Sequence, residues 1–300
     1  MVLLKCPRCG RHPLHAEASE LRCDCGARYP IVGGVARFVD AEAYSGSFGF
    51  QWTRFAQTQL DSANGTHLSR DTFVEKTGWA LADLRGQRVL DAGCGMGRFA
   101  EIAAEAGADV HGVDLSRAVD AAAANLGHRP NVRIYQADIL NLPFVPGSFD
   151  RIYSIGVLHH TPDTRRAFMA LVPLLKPGGH LSIWVYTARL RTTMAASELW
   201  RGVTSRLPQR LLYYLSAVAI PLYHVHRIPV LGWASRIVLP TTMDPRPDWR
   251  WAGTFDWYAP KYQWKHTEDE VRQWFAEAGL TDVRVGPFPV SVWGKGRPAL

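Results

Sequence analysis

The chain has 300 residues, of which 47% are hydrophobic and 20% are charged, and its formal net charge is +7. This composition excludes a disordered, collagen-like or simple repeat protein and fits about two average domains, or one large fold with attachments. The opening MVLLKCPRCG has too few apolar residues before Lys5 for a signal peptide, and no run of about 20 apolar residues could cross a bilayer. We therefore expect an intracellular, cytoplasmic protein.

Residues 1–40 are predicted to form a small metal-binding module. They contain four of the five cysteines of the chain: Cys6, Cys9, Cys23 and Cys25. In a reducing compartment, clustered cysteines indicate a metal rather than disulfides, and the C-P-R-C-G spacing of the first pair is that of a zinc knuckle. The second pair is one residue closer than the usual C-x2-C, so His12 or His15 are alternative ligands. We expect one structural Zn²⁺ bound by the four thiolates.

Residues 41–85 are aromatic-rich and connect the module to a segment, 86–186, in which strand and helix patterns alternate. Five strands are predicted there, at 88–93, 108–114, 132–138, 149–156 and 180–186. Short strands that alternate with helices favour an α/β fold with a parallel, doubly wound sheet. After residue 186 prolines divide the aromatic segment 187–265 into short helices, which we interpret as a helical lid insertion. A helix and two strands predicted in 266–300 complete a mostly parallel, seven-stranded Rossmann-like sheet.

A glycine-rich turn follows the first predicted strand of this sheet, where the sequence reads VLDAGCGMG from Val89 to Gly97. Glycines are needed where a ligand lies against the backbone and a β-carbon would block it. Asp91 stands two residues before the first of these glycines, and its charge would repel the pyrophosphate of a dinucleotide. S-adenosylmethionine carries a sulfonium and an ammonium instead, so the same carboxylate attracts it. The turn therefore favours S-adenosylmethionine over a dinucleotide.

Two further acids mark strand ends at the carboxyl edge of the predicted sheet, where doubly wound folds bind ligands. Asp114 follows Asp91 by 23 residues, in the range where an acid accepts hydrogen bonds from both ribose hydroxyls. Asp138 lies 24 residues further on and is placed to receive the amino group of an adenine. Together with the glycine turn, this spacing predicts a cofactor that contains adenosine.

Five strings of the sequence resemble, in order, the motifs of class I S-adenosylmethionine-dependent methyltransferases. They are VLDAGCGMGRFA, GVDLS, QADILNLPF, FDRIYSIGVLHHTPD and LKPGGHLSIWVY, within residues 86–186, and the resemblance resumes at 267–300. It implies SN2 transfer of a methyl group, in which alignment supplies most of the catalysis. It assigns to the cofactor Asp91, Gly93, Gly95, Gly97, Asp114, Leu115, Asp138 and Ile139. The string GSFGFQWTRF resembles a subgroup of these enzymes, in which Phe48, Gln51 and Trp52 would close over the cofactor.

The string VLHHTPD places a histidine pair, His159 and His160, on the face that the resemblance puts nearest the transferred methyl. A histidine there could deprotonate a hydroxyl acceptor, and we favour His160 as that base. The alternatives are that His159 packs against the cofactor while His160 bonds the backbone, or that proximity alone supplies the catalysis. The string TFDWYAPKYQWKHT also resembles that subgroup. It assigns to the acceptor Asp256, Tyr258, Tyr262 and His266, for which aromatic packing is the alternative.

The segment 187–265 holds eleven Lys and Arg residues against four Asp and Glu, an excess equal to the net charge of the whole chain. The positive charge of this segment could attract an anionic acceptor or bind RNA. Alternatively, the segment could lie on an anionic membrane surface through its uncharged run LLYYLSAVAIPLYHVH. A solvated face around a buried helix is the plainer alternative. No transmembrane segment and no DNA partner are expected, and the sequence leaves the oligomeric state open.

The strings CPRCG and CGARYPIVGGVARFV resemble the small zinc-binding activator subunit that partners RNA- and protein-modifying methyltransferases, here fused to the catalytic chain. The first hypothesis is an enzyme that methylates a small molecule, at an oxygen of a sugar, polyketide or similar biosynthetic intermediate. The second makes RNA or a translation protein the acceptor, with the zinc module as a binding platform. The third is a non-catalytic scaffold that retains the methyltransferase fold.

Overall fold

One large mixed sheet organises the protein. The structure, a computed structural model, describes residues 4–39, 45–188 and 192–298, without the side chains of 192–195. In chain order the strands are β1 (His15–Ala16), β2 (Glu20–Arg22), β3 (Arg28–Val32), β4 (Val35–Arg37), β5 (Arg88–Ala92), β6 (Asp109–Asp114), β7 (Val132–Gln136), β8 (Phe149–Ile155), β9 (Leu175–Trp184), β10 (Thr281–Val285) and β11 (Ser291–Lys295). Across the sheet they are ordered β1-β2-β3-β4-β7-β6-β5-β8-β9-β11-β10.

The α-helices pack on this sheet or follow it in the chain. They are α1 (Gly46–Arg54), α2 (Asp61–Asn64), α3 (Leu68–Thr77), α4 (Arg98–Glu105), α5 (Ala118–Leu126), α6 (Thr164–Leu171), α7 (Thr192–Thr204), α8 (Gln209–Ser216), α9 (Ala219–Val225), α10 (Leu231–Val238), α11 (Pro247–Tyr258) and α12 (Glu268–Glu277). Within the described ranges, none of these helices has the length and apolar character that crossing a membrane requires.

The five central strands, β5 to β9, run parallel, whereas β10 and β11 are antiparallel to their neighbours. Val89, Leu90, Ile152 and Leu181 on these strands are fully buried. Near-continuous apolar burial is typical of parallel strands that are covered on both faces. The predicted α/β fold is confirmed, and the parallel strands bring their carboxyl ends to one edge of the sheet.

The N-terminal module joins the edge of this sheet. β3 and β4 form a hairpin, and β4 pairs in parallel with β7, with Ala36 opposite Tyr135. The sequence predicts seven strands, whereas the described residues form an eleven-stranded sheet. The count is larger because β4 provides backbone partners for the open edge of β7, so the four strands of the module extend the other seven. Sequence patterns within one strand carry no information about this lateral pairing.

Five helices, α7 to α11, lie between β9 and α12. Helix α11 packs against α7, α8 and α9, around an apolar cluster that includes Leu212, Phe255 and Tyr258. The sheet part of the fold resumes at α12, where the hydroxyl of Thr267 accepts a hydrogen bond of 3.2 Å from the backbone N–H of Glu270. The spacing of Thr267 and Glu270, three residues apart before an apolar stripe, predicts this helix cap from the sequence.

Candidate active site

A cavity of about 300 Å³ lies at the carboxyl edge of the parallel strands and is closed by α1 and α11. Ten residues predicted from the sequence line it: Phe48, Gln51, Trp52, Gly93, Gly95, Asp114, Leu115, Ile139, His160 and Asp256. Seven lie outside its lining: Asp91, Gly97, Asp138, His159, Tyr258, Tyr262 and His266. Cavities of this size, mostly apolar with a few polar groups, are typical of small-molecule sites.

The glycine turn forms the floor of the cavity. Gly93 and Gly95 have φ values of +100° and +53°, a region that favours glycine. The N–H of Gly93 donates to the carbonyl of Val113 at 2.7 Å, which fixes the turn on β6. A β-carbon on Gly93 would lie 2.4 Å from the side chain of Val157. The turn therefore packs this tightly only with glycine at that position.

Gly97 has a different position. Its φ is +98°, it precedes the first residue of α4, and a β-carbon there would lie 2.7 Å from the side chain of Leu126. Gly97 thus allows α4 to pack close to α5, rather than lining the cavity.

Asp114, at the end of β6, connects the turn to the cavity wall. One carboxylate oxygen accepts from the N–H of Gly95 at 2.9 Å, and the other accepts from the N–H and the hydroxyl of Ser116 at 2.8 and 2.7 Å. Burial raises the pKa of this carboxyl above its usual value, while these hydrogen bonds act in the opposite direction. The three donors hold the carboxylate at the cavity.

Asp91 lies behind the turn and is 2% exposed. Its Oδ2 has no hydrogen-bond partner among the described residues, and burial raises its pKa to about 8. The nearby Tyr153 hydroxyl acts in the opposite direction, and the negative charge of Asp114 raises this pKa further. A buried carboxylate oxygen without a partner is unfavourable unless a cation or a donor compensates it. The turn thus offers a place where a positively charged group would be stabilised.

The predicted adenine edge is only partly in the cavity. Leu115 and Ile139 line it, whereas the Asp138 carboxylate accepts from the N–H of Leu140 at 2.9 Å and caps the short helical turn at Ile139–Asn141. Asp138 therefore shapes the loop that carries Ile139.

His160 lines the opposite side of the cavity and is 5% exposed. Its Nδ1 lies 2.8 Å from the carbonyl oxygen of Tyr262. Because a carbonyl only accepts, Nδ1 carries the proton and Nε2 keeps its lone pair. Burial lowers the pKa of His160 to about 4, and the charge of Arg201 contributes in the same direction. The imidazole is therefore neutral at pH 7.

The neighbouring His159 points elsewhere. It is fully buried, and its ring centroid lies 3.9 Å from that of Tyr186. Neither ring nitrogen has a hydrogen-bond partner among the described residues, and burial holds its pKa well below the usual range. The two histidines thus occupy different environments, His159 in the aromatic packing and His160 at the cavity.

Asp256 on α11 meets Tyr186, which follows β9, inside the cavity. The Tyr186 hydroxyl donates to the Asp256 carboxylate at 3.1 Å. Burial raises the pKa of Asp256 to about 6, against the stabilising effect of Tyr186 and the charge of Arg201. The helical segment therefore contributes an acid to the cavity, hydrogen-bonded to the end of the central sheet.

The remaining predicted acceptor residues have structural contacts. The Tyr258 hydroxyl donates to the carbonyl of Pro240 at 2.6 Å. The ring nitrogens of His266 lie 3.0 Å from Glu270 and 2.9 Å from the Thr164 hydroxyl. Tyr262 participates through its carbonyl, which orients His160.

Sequence reasoning missed several lining residues, among them Lys76, Arg98, Trp184 and Tyr186. The Nζ of Lys76 lies 3.2 Å from the ring centroid of Trp184, and no carboxylate in the described ranges pairs with it. Burial lowers the pKa of Lys76 well below its usual value and that of Arg98 to about 10. The position of Trp184 and Tyr186 at the carboxyl end of a predicted strand could have suggested them, whereas nothing local marked Lys76.

The four predicted metal ligands come together outside the cavity. Their sulfurs all lie within 4.8 Å of one another, with Cys6 and Cys25 at 3.7 Å and Cys9 and Cys23 at 3.5 Å. Four sulfurs placed tetrahedrally at about 2.3 Å from Zn²⁺ are about 3.8 Å apart, so the cluster fits this ion. The alternative ligands are not in the cluster: His15 lies 3.2 Å from Asp24 instead.

Comparisons with known proteins bear on the same segment. Residues 90–183 match the family model of a methyltransferase domain. A Synechococcus protein described as uncharacterized is 30% identical over 65% of this chain and 47% of its own length. A ubiquinone biosynthesis O-methyltransferase of Ralstonia nicotianae is 39% identical over 34% of this chain and 44% of its own. A solved S-adenosylmethionine-dependent methyltransferase of Mesorhizobium loti shares 38% identity, covering 33% of this chain and 46% of that chain, with a TM-score of 0.31.

The chain thus spans about half the length of the curated relatives that it matches. The part matched as a methyltransferase domain contains the glycine turn, Asp114 and His160. The family resemblance of this core is confirmed over those residues.

Proposed function

We propose that this protein transfers a methyl group from S-adenosylmethionine to an oxygen of a small-molecule acceptor. The proposal rests on one observation: the segment matched as a methyltransferase domain also forms the floor and wall of the cavity, with Gly93, Gly95 and Asp114. The RNA and scaffold hypotheses share the fold but find no comparable support in the cavity.

The cavity residues fit this cofactor. Gly93 and Gly95 would hold its methionine part, Asp114 its ribose hydroxyls, and Leu115 and Ile139 its adenine. Behind the turn and outside the cavity lining, the buried oxygen of Asp91 would attract the ammonium group electrostatically, which would lower the raised pKa of that carboxyl. When bound, S-adenosylmethionine supplies an electrophilic methyl group on a positively charged sulfur.

Two cations at the cavity have a natural role in this proposal. Lys76 and Arg98 would attract the carboxylate of the methionine part, because Lys76 is buried without an anionic partner in the described ranges and Arg98 lies half-buried at the cavity. The negative charge of that carboxylate would raise the lowered pKa of Lys76 and favour its charged form. The cavity therefore combines carboxylates for the positive groups of one ligand with cations for its single negative group.

His160 is the proposed base. Its proton is fixed on Nδ1 by the Tyr262 carbonyl, so Nε2 can accept the proton of an acceptor hydroxyl. With a pKa of about 4 it is a weak base, so most of the rate enhancement would come from holding the acceptor in line with the methyl group.

The hydrogen-bonded pair of Tyr186 and Asp256 is proposed to orient the acceptor, together with the aromatic ring of Phe48. Helix α1 would cover the cofactor and α11 the acceptor. Oxygen as the methylated atom is supported by relatives that carry the names ubiquinone biosynthesis O-methyltransferase and O-methyltransferase cnsE.

We further propose that Cys6, Cys9, Cys23 and Cys25 bind one structural Zn²⁺. The site lies in the module that extends the sheet, and no residue of 4–39 lines the cavity. Metal analysis of gently purified protein should return about one zinc per chain, and Cys9→Ser should lower both zinc content and melting temperature. A full-length wild-type protein without zinc would contradict this assignment. Cys94→Ser is the control, since that cysteine is not in the cluster.

Calorimetric titration with S-adenosylmethionine and, separately, with NADH tests the cofactor. We expect binding of the first only, and binding of NADH alone would overturn the proposal. Mass spectrometry of small molecules from cells with and without the enzyme then identifies the product, expected to be heavier by one methylene. Tight cofactor binding with no methylated product of any kind would favour the scaffold hypothesis.

A further inference from the structure

Exposed apolar side chains are concentrated in one part of the molecule. Of the seventeen large apolar residues that the described chain exposes, twelve lie between residues 199 and 238. These twelve, called here the apolar face, are Leu199, Trp200, Val203, Leu211, Tyr214, Leu215, Val218, Ile228, Val230, Leu231, Trp233 and Val238. Single exposed apolar residues are common on soluble proteins, whereas a contiguous set indicates an interaction surface.

Helix α8 shows that the apolar face is built into the helical pattern. Leu211, Tyr214 and Leu215 recur at the spacing of one helix face and are exposed, and Val218, which follows α8, is exposed as well. The side of α8 that packs inward carries the buried Leu212. Helix α8 is therefore apolar on both sides, and the outer side has no partner in the described chain.

Helices α7 and α10 continue the same surface. The Trp200 indole N–H donates to the carbonyl of Val238 at 2.7 Å, which holds the two helices together. Leu199 is 80% exposed and Trp233 66% exposed. Short amphipathic helices that present Leu, Trp and Tyr to one side are typical of segments that lie in a membrane interface.

The charged side chains within the segment 199–243, which carries the apolar face, are all positive. Arg206, Arg210, Arg227 and Arg236 are exposed, and no Asp or Glu occurs between residues 199 and 243. None of the four arginines forms an ion pair with a carboxylate in the described ranges; Arg236, for example, donates to the carbonyl of Gly232. The surface thus combines apolar side chains with unneutralised positive charge.

We propose that the apolar face docks this protein onto an anionic lipid bilayer surface. The apolar side chains would enter the interface and the four arginines would contact lipid phosphates. A symmetric dimer through this face would bring like charges together, because both copies present the same arginines. RNA would neutralise the arginines but leave the apolar side chains in water. The inference does not depend on the proposed methyl transfer.

Vesicle co-sedimentation of the full chain tests the docking. Vesicles of phosphatidylglycerol and phosphatidylcholine should bind the protein, and vesicles of phosphatidylcholine alone should bind it much more weakly. Each Arg→Gln substitution should weaken the partition about fivefold, so the four together should weaken it by about 600-fold if their effects add. Raising the ionic strength from about 0.1 M to about 1 M should also release the protein, because the Debye length falls from about 10 Å to about 3 Å. Leu215→Ser with Trp233→Ser should weaken binding even at low salt.

The matched control removes four exposed arginines elsewhere: Arg70→Gln, Arg166→Gln, Arg272→Gln and Arg284→Gln. Val32→Ser is the control for an exposed apolar side chain. Binding that falls equally in test and control variants would overturn the proposal, as would an absence of vesicle binding. A dimer in solution that the Leu215 and Trp233 substitutions dissociate would show that a second copy covers the face instead. Calorimetric titration of each variant with S-adenosylmethionine tests the proposed function separately. A variant that loses vesicle binding but keeps its affinity for S-adenosylmethionine affects only the docking.

Discussion

The two halves of the cavity are assembled differently. The floor and wall of the cofactor half come from one short stretch: the turn after β5 supplies Gly93 and Gly95, and the end of β6 supplies Asp114. The acceptor half gathers His160, Tyr186 and Asp256, which are far apart in the chain. The cofactor half is therefore fixed by local backbone geometry, while the acceptor half depends on how the helical segment packs on the sheet.

The electrostatics of the two halves differ as well. In the cofactor half, backbone N–H groups donate to the Asp114 carboxylate, and the buried Oδ2 of Asp91 has no hydrogen-bond partner among the described residues, so a nearby cation would be stabilised. In the acceptor half, burial favours neutral groups: the pKa of His160 is lowered to about 4 and that of Asp256 is raised to about 6. A charged ligand and a neutral acceptor suit these two environments. The comparison can be tested by changing each half alone.

The largest effect is expected for His160→Ala, in the acceptor half. Turnover should fall about 100-fold to 10,000-fold, the usual contribution of a general base, with unchanged affinity for S-adenosylmethionine. Steady-state kinetics with the identified acceptor and calorimetry provide the two measurements. His180→Ala, on β9 and outside the cavity lining, is the control. Near-normal turnover in His160→Ala would show that His160 does not act as a general base. Catalysis would then come from the alignment of the acceptor with the methyl group.

Asp256→Asn tests the burial of charge in the acceptor half. The pKa of Asp256 is about 6 in the folded protein and about 3.8 when unfolded, so the folded state retains its proton to higher pH. The stabilisation is complete below about pH 4 and is lost as pH rises through about 6. Asn does not ionise, so the variant should be more stable than the wild type by up to about 3 kcal/mol at about pH 8, but not at about pH 4.

Urea unfolding at the two pH values measures this difference. Asp248→Asn, which replaces an exposed acid on the same helix, is the matched control for the change of side chain. Equal stability of Asp256→Asn and wild type at both pH values would show that Asp256 is solvated in the folded protein.

The smallest effect is expected in the cofactor half. Asp114→Ala should weaken S-adenosylmethionine binding by about 1–3 kcal/mol, because charged hydrogen bonds to the ribose are lost. Asp163→Ala is a suitable control, since its carboxylate caps α6 by accepting from the N–H of Arg166 at 2.9 Å and lies outside the cavity lining. Unchanged calorimetric affinity of Asp114→Ala would refute the ribose assignment.

Most of the central fold could be predicted from the chain. The five parallel strands occur where alternating patterns place them, and the cap at Thr267 follows from local spacing. The eleven-stranded sheet could not be predicted from the sequence, because the pairing of β4 with β7 joins residues about a hundred positions apart. The sequence marked the uncharged run at 211–226 as a segment that could contact a membrane surface, but not which of its residues are exposed, since an apolar residue has the same sequence pattern whether it packs inward or outward.

The glycine turn, the acid at the end of β6 and the cysteine cluster can be recognised from the amino-acid order alone, because each depends on short spacings that set backbone direction. The packing of distant elements is needed to bring His160 instead of His159 to the cavity, and to bring Tyr186 to Asp256 there. It also brought in Lys76, which no local pattern marks. The two kinds of feature differ in the sequence separation of the residues that form them. Turns and metal knuckles form between residues a few positions apart, whereas the acceptor half forms only where elements distant in sequence pack together.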